Sequence, residues 1–252
     1  MKRVVKYKGL RKFNLIMGIV HLIQAILMVW LSTDFIITVT GSYMMGPPGT
    51  TSMGTEAFFD IRLGLLVALF MFLSSIAHFA VSTFAYQWYI ENLKNNINRA
   101  RWIEYSLSSS LMIIIIAMLV GITDIGVLIT LFIVNASMIF FGWIMELYNQ
   151  KTKKVVWTPF IFGCIAGIAP WITIFIRLIT ASNKSPVGIP AFVIWIFVSL
   201  FVFFNIFAVN QLLQYKKVGA WKDYLYGEKV YIILSLVAKT ALAWQVFSGT
   251  LM

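Results

Sequence analysis

Tyr231-Ile-Ile-Leu-Ser-Leu-Val-Ala-Lys239-Thr-Ala-Leu-Ala-Trp-Gln-Val-Phe247 decides how the rest of the chain is read. The segment is apolar on most sides and carries one lysine near its middle. If it spans a bilayer, Lys239 lies close to the midplane. An ammonium at that depth costs from about 2.5 kcal/mol upwards. Snorkelling relieves lysines near a helix end, and this one is far from either end. Lys239 therefore needs a partner charge, a water-filled cavity or a covalent adduct.

Composition supports the bilayer. The 252 residues are 60% hydrophobic and 12% charged, with a mean hydropathy of +0.88. Soluble domains lie near about 45–50% apolar and about 25% charged. Twenty-one Phe, nine Trp and ten Tyr suit lipid contact and interfacial belts. The lone Cys164 excludes a disulfide scaffold and a multi-cysteine metal site. The basic start runs into a hydrophobic stretch too long for a signal-peptide core, with no clear cleavage site.

The pattern predicts an all-α membrane protein: one domain, 1–252, built as a seven-helix bundle. Helices are expected at about 13–35, 58–87, 99–121, 125–148, 156–181, 189–214 and 222–248, each long enough to cross the hydrocarbon. Pro170 falls inside the fifth, where a proline bends a membrane helix without having to end it. The loop 36–57 combines alternating Ile37-Thr-Val-Thr40 with Pro47-Pro48-Gly49, which predicts a short β-hairpin.

The basic residues set the expected orientation. Lys2, Arg3, Lys6, Lys8, Arg11 and Lys12 precede the first span. Lys94, Arg99, Arg101, Lys151, Lys153, Lys154, Lys216, Lys217, Lys222 and Lys229 follow on the same side. Arg62, Arg177 and Lys184 lie opposite. The positive-inside rule then puts the N terminus in the cytoplasm, the hairpin outside, and the chain in the cell membrane. The net charge of +11 becomes a rim attracted to anionic lipid. Nucleic acid is set aside, because no basic helix stands free of the bilayer.

Few acids can answer Lys239. Asp34, Glu56, Asp60 and Asp124 belong to the outer ends, and Glu91, Glu146, Asp223 and Glu228 to the inner rim. Glu104 alone is expected inside a span, so Glu104 is paired with Lys239. The plain alternative is an interfacial carboxylate beside Arg101, and Glu104 starts only a few residues into its helix. His21, Gln24 and His78 share its level and suggest one polar cavity on the cytoplasmic side. Each histidine bonding separately within the bundle is the competing reading. No tight ligand motif points to a metal. Ser235 lies one turn before Lys239 on the same face. The run Ser106–Ser110, with Ser109, and Asn135 are candidates to line the same space, though small polar residues also serve helix packing. Trp143, Trp171, Trp195, Phe203, Phe204 and Trp244 offer flat surface. An amine with one carboxylate among aromatics suits a protonated Schiff base.

Seven spans with a mid-seventh lysine resemble a microbial-type retinal protein, and the chain is most similar to the heliorhodopsin family. The resemblance rests on the inverted charge pattern, the long first outer loop, Arg101-Trp-Ile-Glu104-Tyr105-Ser and Ser235-Leu-Val-Ala-Lys239-Thr-Ala-Leu-Ala-Trp-Gln245. It implies all-trans retinal bound covalently to Lys239, with Glu104 as single counterion. Tyr105, Ser109, Ser235, Asn135 and Trp143 are expected around the chromophore. His21, Gln24, His78, Arg101 and Gln245 are expected in the polar cavity. Ile115 stands where a proton pump would keep a donor acid. The resemblance further implies isomerisation to 13-cis under light, a slow photocycle, a homodimer using the hairpin, and little or no ion transport, so a light sensor is the expected function and no enzymatic activity is expected. A helix rearrangement presented to an unidentified cytoplasmic signalling partner is the expected output, although the sequence carries no partner motif. A light-driven ion or proton transporter is the competing function, and a structural lysine in a non-retinal membrane scaffold is the third.

Overall fold

The computed structural model describes residues 2–49 and 52–250, with side chains for 6–49 and 52–249. Residues 50 and 51 of the expected hairpin loop, and the side chains of Lys2 and Arg3 in the basic lead, lie outside the described residues. Ten elements follow the first helix, α1 (Lys2–Leu31): strands β1 (Ile36–Met44) and β2 (Met53–Arg62), then α2 (Leu63–Ser82), α3 (Tyr86–Lys94), α4 (Arg99–Leu119), α5 (Ile125–Asn149), α6 (Thr158–Lys184), α7 (Ala191–Lys216), a short 3-10 turn (Gly219–Lys222) and α8 (Tyr224–Thr250). Seven of these helices, all but α3, are long and apolar enough to cross a membrane.

Two boundaries differ from the sequence reading, each for a local reason. The second span does not run over 58–87. Residues up to Arg62 belong to β2, where Val39 faces Phe59 and Ile36 faces Arg62. Phe58, Phe59 and Ile61 of the strand run on into the apolar helix, so despite Asp60 and Arg62 the two merge when read as sequence. At the other end, the Ser82 and Thr83 hydroxyls donate to the His78 and Phe79 carbonyls at 2.6 Å each. Such back-bonding competes with the helix ladder. The backbone leaves the helical region at Thr83 and restarts as the short α3. The first helix, in turn, begins at Lys2 rather than residue 13, because the basic lead continues the same helix, and it ends at Leu31.

α4 is the central staff. Most of its apolar window, 72%, is buried, against 17% for α5 and for α7. Asn98 caps it by accepting from the Arg101 amide at 3.1 Å. It ends at Leu119, and Gly121 with its positive φ of 82° turns the chain tightly into α5. α1 packs on α2, α2 on α4, α4 on α5, α5 on α6 and α7 on α8, while α8 returns to α1 and closes the ring. The odd crossings α1, α4, α6 and α8 begin at the N-terminal end, and the hairpin covers the other end.

Asp124 fastens the hairpin to the bundle. Its carboxylate caps α5 through the Gly126 and Val127 amides and also accepts from the Ser42 amide at 2.9 Å. Thr40 adds a backbone bond to the Thr123 carbonyl at 2.9 Å. The Ser42 amide first, and the two α5 amides with it, hold the Asp124 carboxyl below the usual carboxylate range. A depressed folded value means the tie is complete above the ordinary Asp value of about 3.9 and is lost as pH falls through the lower folded value. Amide hydrogen exchange at Ser42 should therefore quicken on acidification relative to the intrinsic rate. In Asp124→Asn the protection should already be low near neutral pH and change little with acid.

Candidate functional site

Lys239 and Glu104 meet because their helices start at the same end. The Tyr105 hydroxyl donates to the Tyr231 carbonyl at 2.9 Å, which levels the start of α4 with α8 two turns before Lys239. Helical side chains lean towards their own N terminus. Lys239 thus reaches down the bundle to the depth of Glu104. Its Nζ donates to Glu104 Oε1 at 2.6 Å, to Ser74 Oγ at 2.6 Å and to Ser235 Oγ at 3.0 Å. Ser74 in turn donates to Glu104 Oε1 at 2.7 Å. The side chains of Lys239 and Glu104 are only 3% and 9% exposed, so the pair is shielded from bulk water. Ser74 was not singled out as a ligand of the lysine. Its place one turn before His78, on the same face of α2, was the available signal.

Beyond the amine lies a cavity of about 1100 Å³, counting its open mouth. Trp102, Met112, Trp171, Phe204, Phe207 and Tyr231 form apolar walls, while Tyr105, Ser109 and Ser235 lie with Lys239 among the polar lining. Trp171 sits edge-on to Phe201 and Phe204 at 5.3 Å. Gly142 makes room for Trp102: a Cβ there would come within 2.6 Å of the indole. An amine, one carboxylate, a few hydroxyls and a sleeve of rings fit a long apolar aldehyde. On the α6–α7 side the lining residues Cys164, Ile168 and Asn205 are also exposed.

Three expected residues are elsewhere. Trp143 is not in the lining; its helix neighbour Gly142 is, and Trp102 of α4 supplies the indole instead. Asn135 stands behind the wall, donating to Ser109 Oγ at 2.9 Å and Ser110 Oγ at 3.0 Å. Gln245 is six residues past Lys239, which turns it about 120° away at 3.6 residues per turn. It accepts from Ser199 of α7 at 3.1 Å and lies apart from the histidines.

His21 and His78 are together, their rings stacked at 5.5 Å. His78 Nδ1 lies 2.8 Å from Asn14 Oδ1, and Asn14 Nδ2 donates to the Leu10 carbonyl at 3.0 Å. That amide orientation puts the proton of a neutral His78 on Nδ1 and leaves Nε2 as acceptor. A small cavity lined by Asn14, His78, Tyr89, Glu104, Arg101 and Glu228 continues from this point. His21 packs outside it, with Nδ1 3.4 Å from Met71 Sδ. Gln24 is buried, and its Oε1 and His21 Nε2 have no hydrogen-bond partner among the described residues. No group of three or more His, Cys, Asp and Glu suited to a metal occurs among the described residues.

Arg101 does not touch the Lys239 pair. It lies between two acids that the sequence assigned to the inner rim, Glu146 and Glu228, whose side chains are 1% and 0% exposed. Its Nη2 donates to Glu146 at 2.6 Å and its Nη1 to Glu228. Trp102 Nε1, the Tyr224 hydroxyl and the Asn98 amide also donate to Glu146, at 2.5, 3.0 and 3.0 Å. The guanidinium stacks 4.0 Å from the Tyr231 ring and 4.4 Å from Trp102. Glu104 is thus not the only acid within a helix and buried. Breaking a buried ion pair costs about 3–5 kcal/mol. Arg101→Met should lower the thermal midpoint accordingly, far more than Lys6→Met at the exposed Lys6–Asp223 bridge of 2.5 Å.

A family model described as Heliorhodopsin matches residues 10–251. No curated protein matches the chain. The matched region takes in most of α1, the other six helices that can cross a membrane, the hairpin, and the lysine at the polar end of the apolar cavity. The chain belongs to the heliorhodopsin family, which makes it a multi-pass membrane protein of the retinal-binding, light-sensing rhodopsin class.

Proposed function

We propose that Lys239 carries all-trans retinal covalently, with Glu104 as counterion, and that the protein is a light sensor without net ion transport. The carrying observation is the amine itself, held by one carboxylate and two hydroxyls at the polar end of a ring-lined cavity. When bound, retinal supplies visible absorption and a light-driven change of shape next to Nζ. Glu104 Oε1 stabilises positive charge at Nζ. Ser74 accepts from Nζ and donates to the same carboxylate oxygen, which fixes the geometry of both. Tyr105 closes the cavity floor. His78 Nε2 and the small cavity offer a proton at Nζ somewhere to go without leaving the protein.

The absence of transport is supported by what fills the hairpin end. Ile113, Ile115, Ile116 and Ala117 of α4 are buried to 1% or less, and Val39 of β1 packs into the same core. Residues 111–119 of α4 carry no polar side chain, which interrupts a relay along this helix towards that end. The excess of Lys and Arg at the N-terminal end supports a cytoplasmic N terminus. The hairpin exposes Tyr43, Met44, Met53, Phe58 and Phe59, which suits a contact between two copies in a homodimer. In this reading the photocycle is slow and the output is a change of shape presented to a cytoplasmic partner.

Three measurements test this. The purified chain mixed with all-trans retinal should develop a visible band that is absent in Lys239→Ala. Glu104→Gln should absorb further to the red, because the lost carboxylate stabilised the ground-state charge at Nζ. No band, or an unchanged maximum in Glu104→Gln, would overturn the assignments. Cells expressing the pigment should show no uncoupler-sensitive pH change under continuous illumination, and a sustained change would favour a transporter.

A further inference from the structure

We propose that Glu228 receives the proton driven out of the Lys239–Glu104 pair towards the N-terminal end. The inference rests on retinal being carried at Lys239. Three features of the molecule lead to Glu228. First, the inner cluster is unbalanced: one guanidinium, Arg101, serves two buried carboxylates, Glu146 and Glu228. Second, the two acids are unequally held. Glu146 accepts from four donors spread over both oxygens. Glu228 accepts from two, Arg101 Nη1 and Asn98 Nδ2, the latter at 2.7 Å. A carboxylate with fewer donors is the cheaper one to neutralise in a low-dielectric interior. Third, Glu228 lines the small cavity that Glu104 and His78 also line, whereas Glu146 does not.

The titratable and charged groups around Glu228 are few. His78 comes from α2, Tyr89 from α3, and Arg101, Glu104 and Tyr105 from α4. Glu146 of α5 faces it across Arg101, and Tyr215 of α7 donates to Met145 next to Glu146. Tyr224 and Tyr231 flank it on its own helix. The phenols stay protonated near neutrality and Arg101 stays charged. That leaves Glu104, His78 and the two cluster acids as stations. In the transfer an N–H bond at Nζ breaks, its electron pair stays on nitrogen, and an O–H bond forms on Glu228. The cluster passes from one excess negative charge to neutral. Neutral Glu228 holds Arg101 less tightly, which loosens the start of α8 against α4.

Infrared spectroscopy reads this directly. The light-minus-dark spectrum of the pigment should gain a protonated-carboxyl C=O band. The band should vanish in Glu228→Gln, shift in Glu228→Asp, and survive in Glu146→Gln, with the dark absorption maximum of Glu228→Gln unchanged. The retinal-free protein gives an independent arm: acid titration should protonate a buried carboxyl that Glu228→Gln removes. Should Glu228→Gln fail to fold, the shift in Glu228→Asp carries the test. A band that persists in Glu228→Gln, that does not shift in Glu228→Asp, or that never forms in the pigment would overturn the proposal. If no pigment forms, the retinal reading fails and the light-driven transfer with it, while the retinal-free titration still shows whether Glu228 is the buried acid that protonates.

Discussion

A cation buried at mid-depth constrains everything around it. Lys239 could not remain charged among apolar helices without Glu104, Ser74 and Ser235 within 3.0 Å. Those three ligands come from α4, α2 and α8, so one ammonium fixes the relative heights of three helices. The Tyr105–Tyr231 bond sets the same registry one layer below. Shifting α8 by a single turn, about 5.4 Å, would strand both the amine and the carboxylate.

A second buried ion site lies next to the first on the same two helices. Arg101 and Glu104 are three residues apart on α4, and Glu228 and Lys239 share α8. Trp102 and Tyr231 join the two layers, since each lines the large cavity while stacking on the Arg101 guanidinium. Movement of the cavity wall is thereby felt at the ion cluster. Buried pairs of this kind contribute little net stability, because desolvation offsets most of the attraction. Their effect here is positional: they specify which faces of α4, α5 and α8 meet. Towards the hairpin, residues 111–119 of α4 carry no polar side chain and pack closely, beyond the Asn135 bonds to Ser109 and Ser110.

The seven spans, the membrane class and the candidate lysine were legible because each leaves a one-dimensional trace. A charge amid apolar residues has few solutions, and hydropathy over a span needs no partner to be visible. Glu104 was legible by elimination. The start of α2 was not, since Phe58, Phe59 and Ile61 read as the opening of an apolar helix and only their ladder with β1 makes them a strand. Trp143 and Gln245 carried the right chemistry on the wrong faces. Glu146 and Glu228 lie near helix ends, where sequence assigns acids to water; Arg101 draws both inside.

What the chain states on its own is that seven helices must cross a bilayer with one amine in need of a partner, because burial cost depends on residue type alone. Which partner it finds, and that Ser74 completes the set, depends on registry between helices far apart in sequence. That registry is fixed by hydrogen bonds such as Tyr105 to Tyr231 and by the fit of Trp102 against Gly142. Such contacts have no signature along the chain. They exist only once the faces of the helices have been chosen by packing.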